Sequence, residues 1–158
     1  MTLYRGGLRL GEALALHPKD VDLDAGTITI LHGKGDRSRT VGLDPGAAAV
    51  LERWLERRRM LGIGGRVPLF CTLASGPLQP SYVRMLLSRL ATKAGIDKRV
   101  HPHGLRHTHA AELAAEGTPL NLVQAQLGHS SLATTDRYLR HIAPAQLVEA
   151  IRARSWSL

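Results

Sequence analysis

Residues 27–43 read TITILHGKGDRSRTVGL, and this stretch decides the fold class because it supplies a sheet to a chain whose other patterns are helical. Two runs of strand-favouring residues, 27–31 and 40–43, flank a connection rich in glycine and charge. The pattern predicts a hairpin with Lys34 near its tip. We therefore expect an α+β fold that is mostly α-helical, with one small antiparallel β-hairpin or sheet.

Predicted helices lie on both sides of this hairpin. In them, apolar residues recur at helical spacing, and Asp, Ser, Pro or Gly marks the ends. The segment 61–80 is rich in Gly and Pro and is predicted to be mostly loop, with a brief extended stretch at Leu69 and Phe70. The predicted helices cover residues 8–17, 44–61, 81–94, 102–116 and 119–127, and a capped segment (132–142) and an apolar stripe (within 143–158) follow them.

Composition limits the class of protein. The chain has 158 residues, 44% of them hydrophobic, which fits a single domain with its own core. One cysteine, Cys71, permits no internal disulfide, and we expect a reducing cytoplasm. We expect neither a membrane segment nor a signal peptide, because no apolar run is long enough and the N-terminus lacks the pattern. The 21 Lys and Arg against 13 Asp and Glu leave a net charge of +8, which favours a polyanionic partner such as nucleic acid.

Four separated blocks concentrate groups that bind or transfer phosphate. They are GGLRLGE around Arg9, GKGDRSR around Lys34, HPHGLRHT with His103 and Arg106, and LGHSSLATTDRYLR, in which Tyr138 follows a histidine by nine residues. In the last block, a Gly-His-Ser turn opens a predicted helix that would carry the phenol of Tyr138 two turns along.

These blocks, in this order, resemble those of the tyrosine recombinases (the phage integrase family) from about residue 8 to residue 140. The resemblance implies the catalytic-domain fold of DNA breaking-rejoining enzymes and metal-free, cofactor-free cleavage and rejoining of double-stranded DNA through a 3′-phosphotyrosine. It also implies a homo-oligomer, which is a tetramer on DNA and can be a monomer in the absence of DNA. The location that it implies is the cytoplasm, in association with the nucleoid, for a protein of bacterial or phage origin. By resemblance, Glu12 stands at the position of a supporting acid. The six catalytic positions are Arg9, Lys34, His103, Arg106, His129 and Tyr138.

Phosphate chemistry gives independent reasons for this set. A phosphodiester becomes more crowded with charge as a nucleophile adds, and Arg9 and Arg106 can each hold two of its oxygens while staying charged at any working pH. The phenol of Tyr138 is mostly protonated at neutral pH, and His103 is the candidate base for it.

The remaining two groups complete the reaction. Lys34, on the hairpin, can protonate the departing 5′ oxygen, and His129 can hydrogen-bond a non-bridging oxygen. We assign Arg37 and Arg39 either to contacts with the DNA backbone or to plain solvation.

Several features have simpler interpretations. Arg9 and Glu12, three residues apart, could form a weak surface ion pair, and GKGDRSR could be a solvated turn. His103 and His107, four residues apart, could bind zinc, but there is no HExxH carboxylate and Arg106 would place positive charge beside the ion. We expect His107 to be a supporting residue and assign no role to the histidines at 101 and 109.

Compared with the family it resembles, the sequence is expected to lack two parts at its N-terminal end. Family members generally begin with a separate DNA-binding domain, and their catalytic domain opens with a helix before the block at Leu8–Arg9; we expect both to be absent from this N-terminally truncated catalytic domain. Gly6 and Gly7 stand where the family often has Thr-Gly, which leaves the turn intact. A segment at 141–158 can dock in cis or on a neighbouring protomer.

A two-domain enzyme contacts DNA from both sides, and one of its domains alone makes fewer phosphate contacts. We therefore expect weak DNA binding and poor recombination by this chain alone. Two other functions stay open. One is a DNA-binding fragment or regulator that keeps the fold with little activity. The other is a type IB topoisomerase-like enzyme, which relaxes supercoils without paired sites.

Overall fold

A computed structural model describes residues 1–31, 38–128 and the single position 152. Within them lie six α-helices, three strands and a 3₁₀ turn at Pro18–Asp20. Among these described helices, none is both long and apolar enough to cross a membrane. The elements are α1 (Thr2–Arg5), α2 (Leu10–Ala15), β1 (Val21–Asp22), β2 (Thr27–Ile30), β3 (Arg39–Gly42), α3 (Pro45–Met60), α4 (Pro80–Lys93), α5 (Pro102–Ala115) and α6 (Leu120–Leu127).

The three strands form one antiparallel sheet in the order β1-β2-β3. Ile28 lies between Val21 on one side and Val41 on the other. Ile28, Ile30 and Val41 are buried while their neighbours along the strands are less so, as expected for a sheet with one face on the core. The predicted α+β class and hairpin are confirmed. The strand β1 was not predicted, because two residues are too short to show a period of two.

Two helix predictions need correction at the N-terminal end. A one-turn helix, α1, does precede the Leu8–Arg9 block, so the expected absence of such a helix is wrong. The next helix is shorter than predicted, since Arg9 and Leu16 both have extended backbone angles and bracket α2. Farther along, α3 begins as predicted, with the Asp44 carboxylate accepting a hydrogen bond from the Ala47 N–H at 3.1 Å.

The core has two parts. The larger joins α2, the sheet and α3, with Leu8, Ile28, Leu51 and Leu69 at its centre. A smaller cluster of Ala110, Val123 and Leu127 lies where α5 meets α6. The side-chain amide of Gln126 pairs with both backbone groups of Gly42, which attaches α6 to the outer strand of the sheet.

The long loop after α3 is organised by one buried arginine. Arg58 is only 2% exposed, and its guanidinium donates hydrogen bonds to four backbone carbonyls and to the Cys71 sulfur. Leu69 within this loop also donates its N–H to the Leu16 carbonyl at 2.6 Å. The loop prediction is confirmed, although its brief extended pairing joins Cys71 to Pro77.

We expect Arg58→Lys to lower the free energy of unfolding by about 3 kcal/mol, because one ammonium cannot satisfy the carbonyls that a planar guanidinium reaches. Urea unfolding would measure the change. The control is Arg57→Lys, at an exposed position one residue earlier on the same helix. Equal stabilities of the two variants would contradict this role.

Candidate active site

The Arg106 side chain joins three segments of the chain. It lies on α5, the residue is only 3% exposed, and its two terminal nitrogens donate to the carbonyls of Gly7 and Leu127. Gly7 precedes the Leu8–Arg9 block, and Leu127 ends α6. The first and the fourth of the blocks predicted from sequence are therefore connected to the third, HPHGLRHT, through the guanidinium of Arg106.

The close approach at Gly7 requires glycine. Its φ is +62°, and an added Cβ would come within 2.6 Å of the His109 ring and 2.9 Å of the Leu127 side chain. Both the backbone angle and the space exclude other residues. The prediction that the Gly6–Gly7 turn is intact is confirmed.

A second cluster of charges is centred on Glu12, whose side chain is 5% exposed. Its carboxylate accepts from the Arg9 guanidinium at 2.7 Å and from the Arg9 backbone N–H at 2.8 Å. Arg39 donates to both carboxylate oxygens, at 2.9 and 2.8 Å. The pair of Arg9 and Glu12 is thus part of a partly buried network, and its interpretation as a weak surface ion pair is wrong.

Arg39 has a different environment from the one expected. Its side chain is 12% exposed, so the interpretation as a solvated side chain is wrong, while a contact with DNA stays a prediction. An added Cβ at Gly128 would meet the Arg39 side chain at 2.6 Å. The Gly128 carbonyl also accepts a hydrogen bond from the Arg9 guanidinium at 3.3 Å. The end of α6 therefore lies against both arginines of the Glu12 network.

One cavity of about 360 Å³ collects several of the predicted groups. Arg9, His103 and Arg106, which are distant in sequence, all line it. Among the described residues, the lining contains four arginines, two histidines and no carboxylate: Leu8, Arg9, Leu10, Arg84, Arg99, His101, Pro102, His103 and Arg106. Such a cavity suits an anionic ligand.

His103 is favoured in its neutral form. Although the residue is exposed, partial desolvation of its ring, together with the nearby charges of Arg106, His101 and Arg9, lowers the pKa of its imidazole below the ordinary 6.5. A neutral imidazole can accept a proton, which a base must do. The ring of His107 packs edge-on against that of His103, with centroids 4.1 Å apart, and burial is again the main reason that the pKa of His107 is lowered. The described residues contain no group of three or more metal-ligating side chains.

His101 has a structural role that the sequence did not reveal. It is the N-cap of α5, and its Nδ1 accepts from the Gly104 N–H at 3.1 Å, which fixes the start of the helix at Pro102, one residue before His103. Histidine is not among the residues that normally signal an N-cap, so the pattern gave no hint. The residue His109 is also buried, and its Nε2 has no hydrogen-bond partner within the described part of the chain.

Four predicted site residues lie outside the described residues. They are Lys34, Arg37, His129 and Tyr138. The hairpin strands that flank the first two are described up to Leu31 and from Ser38, and the helix before His129 is described up to Gly128. The same holds for the predicted segments at 132–142 and 143–158, apart from position 152.

The resemblance to DNA breaking-rejoining enzymes implies a shared basic cavity in a helical domain with a small sheet, and the described residues form one. Comparison with known proteins shows that the chain belongs to the phage integrase family, whose family model matches residues 1–144. A tyrosine recombinase XerC of Xanthomonas campestris is 39% identical over 135 residues, which are 85% of this chain and 41% of the relative. A XerC of Corynebacterium efficiens is 39% identical over 95% of this chain and 47% of its own length.

Solved structures agree on the fold. The crystal structure of XerA recombinase matches 98% of this chain and 57% of its own, with a TM-score of 0.84 and 30% identity. XerH site-specific recombinase bound to its difH substrate matches 99% of this chain and 45% of its own, with a TM-score of 0.74 and 33% identity. The chain thus spans about half the length of these relatives. The predicted catalytic-domain fold of tyrosine recombinases is confirmed.

We expect Glu12→Gln to lower the free energy of unfolding by about 3 kcal/mol at neutral pH. Burial raises the pKa of Glu12, but hydrogen bonds from Arg39 and Arg9 outweigh burial and bring the pKa from 4.5 to about 2. Because the pKa is lower in the folded state, the carboxylate stabilises the fold above pH 4.5, and this contribution is lost as the pH falls from 4.5 towards 2.

Urea titrations at a series of pH values would follow the difference between Glu12→Gln and the unaltered chain, which should shrink across that window. Glu52→Gln, at an exposed position of α3, is the control and should show little change. A difference that stayed constant from neutral pH to pH 2 would contradict the proposed network.

Proposed function

We propose that this chain is the catalytic part of a site-specific DNA recombinase, which cuts and rejoins duplex DNA through a 3′-phosphotyrosine on Tyr138. The observation that carries the proposal is the shared cavity of Arg9, His103 and Arg106. Membership of the phage integrase family and the similarity to XerC, XerA and XerH recombinases support it.

The cleavage step begins with the phenol. The Tyr138 oxygen attacks the scissile phosphorus and its proton passes to His103, the neutral imidazole. The bond from phosphorus to the 5′ oxygen breaks, and Lys34 supplies the proton that this oxygen needs to leave as a hydroxyl. The products are a phosphotyrosine at the 3′ end and a free 5′ hydroxyl.

Charge in the transition state is held by protein groups. Arg9 and Arg106 would each donate hydrogen bonds to non-bridging oxygens, and His129 would add a further hydrogen bond. Preorganisation supports this assignment, because Glu12 fixes the Arg9 guanidinium and two carbonyls fix that of Arg106 before any ligand arrives. His107, packed against His103, would hold the base in place.

Rejoining follows from the same intermediate. The phosphotyrosine keeps the diester linkage, so an incoming 5′ hydroxyl can restore the strand without ATP or another cofactor. For this chain we infer double-stranded DNA as the substrate, and a homo-oligomer, a tetramer on paired sites, as the assembly that exchanges strands. The bacterial relatives support a place beside the nucleoid in the cytoplasm.

Binding strength should be low for this part alone. The matched relatives are about twice as long, and each phosphate contact that their remaining part makes would add to affinity and to its salt dependence. We infer that this chain cleaves DNA but exchanges strands inefficiently by itself. Arg37 and Arg39 stay candidates for contacts with the DNA backbone near the hairpin.

Covalent trapping tests the proposal most simply. A pool of randomised duplexes, each carrying a nick, allows the short strand released by cleavage to diffuse away, which leaves the protein attached. We expect an SDS-resistant adduct with the unaltered chain and none with Tyr138→Phe, because this variant lacks the nucleophilic oxygen. The variant should still retain DNA on a filter.

Tyr82→Phe, which removes an exposed hydroxyl on α4, is the matched control and should form the adduct normally. An adduct that persisted in Tyr138→Phe would show that another residue is the nucleophile. Failure of the unaltered chain to form any adduct would favour the alternative of a DNA-binding fragment.

A further inference from the structure

The cavity contains two arginines to which the cleavage mechanism gives no role. Arg84 lies on α4, and Arg99 lies in the connection between α4 and α5. Both residues are exposed, and both line the cavity beside Arg9 and Arg106. Within the described part of the chain, neither forms an ion pair with a carboxylate.

The charge of the cavity is greater than one phosphodiester needs. A phosphodiester carries one negative charge, and the two arginines assigned to it are already held by protein groups, Arg9 by Glu12 and Arg106 by two carbonyls. Among the described residues, no carboxylate or carbonyl pairs with the side chain of Arg84 or Arg99, and these exposed arginines add two positive charges to the same cavity. Like charges that line one cavity repel one another, and an anion bound between them relieves that repulsion.

A DNA strand offers further phosphates at a fixed spacing. Along one strand of a duplex, each phosphate is followed by another about 3.4 Å farther along the helix axis. A strand that presents one phosphate to Arg9 and Arg106 must therefore bring the next one close to the same opening. The volume of about 360 Å³ and the open position of the extra arginines fit a second anionic group.

We propose that Arg84 and Arg99 are positioning residues that bind the backbone phosphate adjacent to the scissile one. This inference rests on the proposed function, since it uses the same cavity, and it makes the site a receptor for two consecutive phosphates. The two contacts would set where the strand lies relative to the phenol and carry no base specificity.

Short strands test this without knowledge of the DNA target. The dinucleotide TpT has one phosphodiester and the trinucleotide TpTpT has two. Their affinities can be measured by NMR from the shifts of the histidine imidazole protons, in the unaltered chain and in the Arg84→Ala/Arg99→Ala double variant. We expect TpTpT to bind the unaltered chain roughly fivefold more tightly than TpT, and this advantage to fall in the double variant to about twofold, the statistical effect of offering two phosphates in place of one.

Two controls separate a specific subsite from general charge. Arg89→Ala removes an exposed arginine from the same helix that does not line the cavity, and it should keep the fivefold ratio. A TpTpT in which one phosphate is a neutral methylphosphonate should bind the unaltered chain like TpT. If the double variant keeps the ratio, or if Arg89→Ala loses it equally, the inference is overturned. If the unaltered chain forms no covalent adduct but keeps the fivefold ratio of TpTpT to TpT affinity, the result would count against the proposed function alone.

Discussion

The buried guanidinium of Arg106 is the interaction on which the site depends. It reaches from α5 to the carbonyl of Gly7 in one direction and to that of Leu127 in the other. A guanidinium can do this because its N–H donors lie in a rigid plane and keep their charge when buried. The contact with Gly7 requires a backbone with positive φ and no Cβ, which explains why the turn before Arg9 is built from glycine.

Glu12 performs the matching task for the other arginine. A single buried carboxylate orients Arg9 from beside the cavity and holds Arg39 at the start of β3. Its charge partly offsets that of Arg9, which lines the cavity, and that of Arg39, which does not. The same residues therefore stabilise the fold and prepare the site, and substitutions at them are expected to change both properties.

Local patterns predicted most of the architecture. The hairpin at 27–43, the capped start of α3 and the end of α6 at Gly128 all follow from short-range signals of turn, cap and period. The blocks around Arg9 and Arg106 indicated the site because phosphate chemistry requires such groups. Sequence could not show that Arg58 gathers the carbonyls of a loop, that His101 caps α5, or that Arg39 pairs with Glu12. Each of these depends on a side chain that reaches an acceptor through the fold, which no local period records.

In the proposed mechanism, the guanidiniums of Arg9 and Arg106 act together on one charged phosphate. Adduct formation by Arg9→Ala and Arg106→Ala tests this joint action, on a DNA site recovered from trapped adducts, with the scissile phosphate either natural or replaced by a neutral methylphosphonate. We predict a loss of about 10²–10³-fold for each variant on natural DNA, and a much smaller loss on the neutral substrate, which has no charge to hold. Equal losses on both substrates, or a normal rate for either variant on natural DNA, would contradict the joint action of Arg9 and Arg106 on one phosphate.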